Sequence, residues 1–139
     1  MLATFPFARN ILAMKQALPP QLRLRLVFES GPVGKLSFGP GKADLLDLIG
    51  QHGSISAAAR IMGMSYRRAW VLVDEMNQTF RNPLVKSVRG GPQGGGAQLT
   101  KDGTDALHYF RNIEAAAISA GAAEIAALSA MLRDISDRK

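Results

Sequence analysis

The chain has 139 residues, enough for one buried core plus an arm or tail, and its 47% hydrophobic and 20% charged residues are the proportions of an ordinary globular protein. Seventeen Lys and Arg against eleven Asp and Glu leave a formal charge of +6 and a pI near 10.2, a balance that suits a polyanionic partner. The absence of cysteine excludes disulfides, thiolate catalysis and thiolate metal sites, and no apolar run has the length of a membrane span.

The first elements are punctuated by proline and glycine. Residues 7–18 carry Phe7, Ile11, Met14 and Leu18 at helical spacing and stop at Pro19-Pro20, so an amphipathic N-terminal helix is expected, as core cover or as a dimer surface. The apolar run within it is too short for a secretory signal, which makes the cytoplasm the expected compartment. Residues 22–28, LRLRLVF, alternate through Leu22, Leu24 and Leu26 and read as a strand with one wet face. Turn residues 29–32 then return the chain through residues 34–38, making a hairpin over 22–38 with Arg23, Arg25 and Lys35 on its exposed side. Gly39-Pro40-Gly41 breaks that strand, and a helix is expected over residues 42–51, with Leu45, Leu48 and Ile49 inward and Gly53 at its end.

Residues 54–78, SISAAARIMGMSYRRAWVLVDEMNQ, read as a helix, a tight turn and a second helix. Ala57, Ala58 and Ala59 are small enough for close helix crossing, Gly63 supplies the turn, and Ser65 can cap the second helix. Ser54 and Ser56 are the alternative caps of the first helix, whose N-terminus would suit a phosphate. On the second helix Ala69, Val73, Met76 and Phe80 form a core stripe, while Arg67, Arg68, Val71, Asp74 and Glu75 face the other way. In helix-turn-helix proteins the N-terminal end of that helix meets base edges, so Arg67 and Arg68 are the candidate readers of double-stranded DNA. Tyr66 can donate its hydroxyl to phosphate, and Trp70 is either packing or a base contact.

Residues 84–88 form a further strand and residues 97–99 its partner, with RGGPQGGG (89–96) between them. Two short strands around a glycine loop, directly after a helix-turn-helix, make a wing. Its candidate DNA contacts are Lys86 and Arg89, for which plain strand-end charge has equal weight, and the loop backbone at Gly90, Gly91, Gly94 and Gly95. From 101 to 138 a helical segment runs as one helix or two. Leu107, Phe110 and Ile113 make its early part amphipathic. Ile118, Gly121, Ile125, Leu128, Leu132 and Ile135 form a heptad seam, for core packing or for an intersubunit helix pair.

No catalytic constellation is present. His52 and His108 stand outside any HExxH array, and the glycine run lacks the GxxxxGK[ST] spacing, so an enzyme is not expected.

The run GSISAAARIMGMSYRRAWVLVDEMN, followed by PLV, the glycine wing and LTKDG, resembles the N-terminal DNA-binding domain of ModE-type molybdate-responsive regulators, over residues 22–118. The helix-turn-helix pattern itself is shared with LysR-type regulators. The resemblance implies a winged helix-turn-helix that is dimeric through helices outside the motif and binds a palindromic operator, with Ser65, Tyr66, Arg67, Arg68 and Trp70 in the recognition helix. The family's molybdate-binding domains have no counterpart in these residues, so no cofactor is expected, and such a form is either a constitutive regulator or takes its signal from a separate oxyanion-sensing partner.

The expectation is therefore a mainly α protein with small β hairpins, a single domain over 1–139. It comprises a helical arm (1–20), a hairpin (22–38), a winged helix (42–100) and a helical dimerisation segment (101–138). Its expected role is a homodimeric DNA-binding transcription regulator with no membrane association. The competing readings are a winged helix that binds a protein instead, and a regulator holding an oxyanion at its dimer interface.

Overall fold

Gly53 and Gly63 stand at φ 67° and 70°, in the left-handed region where a Cβ is disfavoured, and each closes a helix. The computed structural model describes residues 21–31, 34–89 and 96–133. Strands β1 (Leu26–Ser30) and β2 (Gly34–Phe38) come first, then helices α1 (Pro40–His52), α2 (Ile55–Met62) and α3 (Tyr66–Thr79). Strands β3 (Val85–Val88) and β4 (Gly96–Leu99) come next, and helices α4 (Lys101–Ala120) and α5 (Ala122–Ala130) complete the order. The fold is mainly helical with two separate two-stranded antiparallel sheets, β1-β2 and β3-β4.

Two boundaries differ from the sequence expectation, and one open choice is decided. Strand β1 begins at Leu26 because Leu26 opposite Phe38 is the last pair of the hairpin; the alternating residues 22–25 run past the end of their partner. Helix α1 takes in Pro40 and Gly41, since proline in the first helical turn loses only an N–H that would have no intrahelical acceptor. The C-terminal segment is two helices, broken at Gly121, whose N–H closes α4 on the Ala117 carbonyl. The expected helix over 7–18, the loop residues 90–95 and Ile135 lie outside the described residues.

Residues Arg23–Ala122 form one compact unit. Its core takes Leu45, Leu46 and Ile49 from α1, Ala58 and Ala59 from α2, and Ala69, Val73 and Met76 from α3, all buried. Phe38 and Phe110 meet edge to face with centroids 5.2 Å apart, joining β2 to α4. Burial of side chains of this size stabilises by roughly 1.5–3 kcal/mol each. The stripe expected on α3 is therefore core, with Phe80 partly buried at its end. Ala57, by contrast, is only half-buried.

The residues from Ala123 onward fall outside that unit. Helix α5 has no buried residue, and Leu128 and Leu132 are 65% and 57% exposed. No single described helix is long and apolar enough to cross a membrane.

Candidate nucleic-acid interface

Each helix of the α2–α3 pair starts on a serine. Ser54, in extended conformation, accepts a hydrogen bond from the Ala57 N–H at 3.0 Å, and Ser65 accepts one from the Arg68 N–H at the same distance. Both are N-caps that satisfy a donor the helix itself cannot pair. The choice between Ser54 and Ser56 is thereby settled: Ser54 caps, and Ser56 sits exposed in the first turn of α2. Between the helices the Met64 N–H reaches back to the Ala59 carbonyl at 3.0 Å, which tightens the turn at Gly63.

Burying Ala69, Val73 and Met76 forces the opposite face of α3 outward. Tyr66, Arg67, Arg68, Trp70, Val71, Asp74 and Glu75 are all exposed. Trp70, ambiguous in sequence, stands on this outer face at 40% exposure and outside the buried cluster. Its indole Nε1–H donates to the Tyr66 hydroxyl one turn earlier, and the two rings meet edge to face at 6.5 Å. Glu75 lies 3.7 Å from Lys42 and Asp74 accepts from Gln78, so the acidic end of α3 is engaged within the protein.

A concavity beside this helix start is lined by Ser54, Ser56, Tyr66, Trp70, Ser87 and Arg89. Five of the expected site residues thus come together: two from α2, two from α3 and Arg89 after β3. Ser65, Arg67, Arg68 and Lys86 do not line it. Arg67 and Arg68 are exposed on the same first turn of α3, and Lys86 is exposed on β3 opposite Gln98. Gly90, Gly91, Gly94 and Gly95 lie outside the described residues. Among the described residues, Arg67, Arg68, Lys86 and Arg89 have no ion-pair partner, whereas Arg23, Lys35, Lys42, Lys101 and Arg111 do. Arg25, Arg60, Arg81 and Arg133 are likewise without one, and uncompensated cations are what a polyanion would engage.

The β3-β4 hairpin is held against this face by bonds that sequence reasoning missed. The Asn77 carboxamide oxygen accepts from the Leu84 and Val85 N–H groups at 2.9 and 3.1 Å, and its Nδ2 donates to the Val85 carbonyl at 3.1 Å. One amide therefore ties the far end of α3 to the start of β3. On β4 the Ala97 N–H donates to the Gly53 carbonyl at 3.0 Å, and a Cβ at Gly96 would stand only 2.6 Å from that same oxygen. Thr100 caps α4 through the Gly103 N–H and donates to the Pro83 carbonyl at 2.7 Å. A Cβ at Gly103 would overlap the Leu84 carbonyl oxygen, so the LTKDG run closes the hairpin base where no side chain fits.

One charge cluster away from the concavity is paired. Asp44 on α1 accepts from Arg111 of α4 and from Arg23, each at 2.8 Å, and Arg111 also reaches Glu114 at 3.1 Å. Burial pushes the Asp44 carboxyl up, but the hydrogen bonds from Arg111 and Arg23 outweigh it and hold the group below the usual carboxylate value. The bond to Asp44 likewise raises Arg111. No group of three His, Asp or Glu side chains that could hold a metal ion occurs among the described residues.

Within residues Arg23–Ala122 the capped starts of α2 and α3 and the β3-β4 hairpin thus meet around one concavity. The sequence of the chain is similar to proteins of molybdenum metabolism. It is 45% identical over 76 residues to the DNA-binding transcriptional dual regulator ModE of Escherichia coli (strain K12), covering 55% of this chain and 29% of that protein. It is 44% identical over 70 residues to the molybdenum transport protein ModE of Azotobacter vinelandii, covering 50% and 26%. It is 40% identical over 78 residues to the molybdenum-pterin-binding protein MopA of Rhodobacter capsulatus, covering 56% and 29%. The matches thus span little more than a quarter of these relatives' own length. No protein-family model matches the chain. The expectation of no cofactor stands in partial conflict with a relative whose name carries molybdenum-pterin binding.

Proposed function

We propose that this chain is the DNA-binding part of a ModE-type transcription regulator, a winged helix-turn-helix that works in the cytoplasm as a homodimer on a palindromic operator and catalyses no reaction. The start of α3 would enter the major groove, with Arg67 and Arg68 reading bases, and the β3-β4 hairpin would lie on the flanking backbone with Lys86 and Arg89. One observation carries the reading: Tyr66 and Trp70 of α3 line one concavity with Ser54, Ser56 and Arg89, and Arg67 and Arg68 are exposed on the same first turn of α3. The regulator name of the Escherichia coli relative supports it. The exposed Ile118, Leu128 and Leu132 support a homodimer, because apolar side chains of this size gain most from a partner surface.

The test is titration of labelled duplex DNA against salt, with Arg67→Ala and Arg68→Ala beside the wild type. Affinity should fall steeply with salt, and a variant that loses a base contact should bind about 1–3 kcal/mol more weakly. No binding at low salt would sink the reading in favour of a protein-binding module. The molybdenum in the names of the Rhodobacter and Azotobacter relatives favours a second reading, a regulator that holds an oxyanion at its dimer interface. Melting with added molybdate reads that directly, since a ligand of the folded state raises the midpoint.

A further inference from the structure

The pair formed by Tyr66 and Trp70 has a direction. An indole N–H can only donate, whereas a phenol hydroxyl donates one proton and accepts on its oxygen. Because Trp70 Nε1–H donates to Tyr66 Oη, the oxygen is occupied as an acceptor and its own proton is turned elsewhere. Among the described residues nothing accepts that proton: this bond to Trp70 is the one in which the Tyr66 hydroxyl takes part. Tyr66 is 53% exposed and lines the concavity together with Ser54, Ser56 and Ser87. Trp70 holds the ring from its side, one helical turn along, in an edge-to-face contact at 90°.

We infer that Trp70 is a positioning residue that locks the Tyr66 hydroxyl as a hydrogen-bond donor toward an acceptor atom of DNA. The inference rests on the DNA-binding reading above and adds a direction to it: Tyr66 recognises acceptors and repels donors. Two DNA atoms share that chemistry, a phosphate oxygen and a base-edge acceptor in the groove. A neutral donor displaces no counterion, so its contribution is separable from that of the arginines.

The experiment measures dissociation constants at several salt concentrations for the wild type, Tyr66→Phe, Trp70→Phe and the double variant. Two probes are used: a random-sequence duplex, and the tightest duplex that the wild type selects from a randomised library. Thermal melting accompanies each variant, and both side chains lie outside the buried core. Tyr66→Phe should weaken binding roughly tenfold, as expected for a hydrogen bond to a charged or strongly polar acceptor, with an unchanged salt slope. Trp70→Phe keeps a flat ring but removes the donor. It should weaken binding about threefold in the wild type and leave Tyr66→Phe unchanged, because coupled residues do not add.

Loss on both duplexes assigns the acceptor to phosphate, and loss on the selected duplex alone assigns it to a base; either outcome supports the inference. Unchanged affinity of Tyr66→Phe, with wild-type binding intact, overturns the inference and leaves the DNA reading standing. An equal loss from Trp70→Phe in both backgrounds overturns the positioning role. Wild-type failure on both duplexes at low salt overturns the inference together with the DNA reading. Should Trp70→Phe melt early, Tyr66→Phe alone still decides the donor.

Discussion

The two hairpins are nearly the same size, five-residue strands in β1-β2 and four-residue strands in β3-β4, yet they are fastened by different physics. The first is held by what it buries: Phe38 slots edge to face between Phe80 and Phe110, while Val27 and Phe28 stay exposed on its outer strand. The second buries Leu84, Val85 and Ala97 and adds several directional bonds at backbone atoms, involving Asn77, Gly53 and Thr100, where the first has, among the described residues, the one from Lys42 to the Ser37 carbonyl. Burial is non-directional and tolerates small slippage, whereas a bidentate amide fixes distance and angle together. The hairpin that would touch DNA is thus the one whose burial is supplemented by bonds that fix its position.

The sharpest way to break this contrast is to empty the first fastening. Phe38→Ala should cost about 3–5 kcal/mol of stability in denaturant unfolding, the usual range for a buried phenylalanine. At temperatures where the variant remains folded, its DNA affinity should match the wild type, because Phe38 does not line the concavity beside α3. A parallel loss of affinity would show that the two hairpins are not independently held.

The converse variant is Asn77→Ala. It leaves the Leu84 and Val85 N–H groups without their acceptor, at a cost of ~1–3 kcal/mol. Its affinity loss should exceed that of Phe38→Ala despite the smaller cost in stability. Asn77→Asp sharpens the point: a carboxylate keeps the acceptor but sets a second oxygen against the Val85 carbonyl, so it should not restore the wild type.

The smallest expected effect is electrostatic and concerns the first hairpin's side of the molecule. Asp44 lies below its ordinary value of 3.8, so the stability it contributes is fully present above that value and is lost as pH falls through the lowered one. Asp44→Asn should therefore melt below the wild type at neutral pH, and the gap should close in strong acid. Its side chain is 37% exposed, which keeps the effect modest. A gap that is constant with pH would place the effect in packing and not in charge.

What was legible in the sequence was local. Gly63 and Ser65 announce the turn and the cap because a left-handed backbone and an orphan N–H each demand a particular residue type. The α3 stripe is legible because helical periodicity repeats its signal at Ala69, Val73 and Met76. Alternation could not say where β1 begins, since the strand ends where its partner ends, and that is a property of the other strand. Asn77 was invisible because a polar residue near a helix end looks alike whether solvated or bonded to three backbone groups. The bond between Asp44 and Arg111 joins residues 67 apart, beyond any periodic signal. Tyr66 and Trp70 were visible as candidates, but that their side chains bond each other is a property of the folded helix.

Asn77 also separates two jobs along one helix. It lies ten positions after Arg67, about 15 Å along the axis at 1.5 Å per residue. The end of α3 that would read and the end that grips the hairpin share no side chain. Residues of the first turn can therefore be exchanged for others without disturbing the joint. Such a helix is open to retargeting: a lineage, or an engineer, could rewrite its preferred sequence one outward-facing residue at a time while the frame that presents it stays the same.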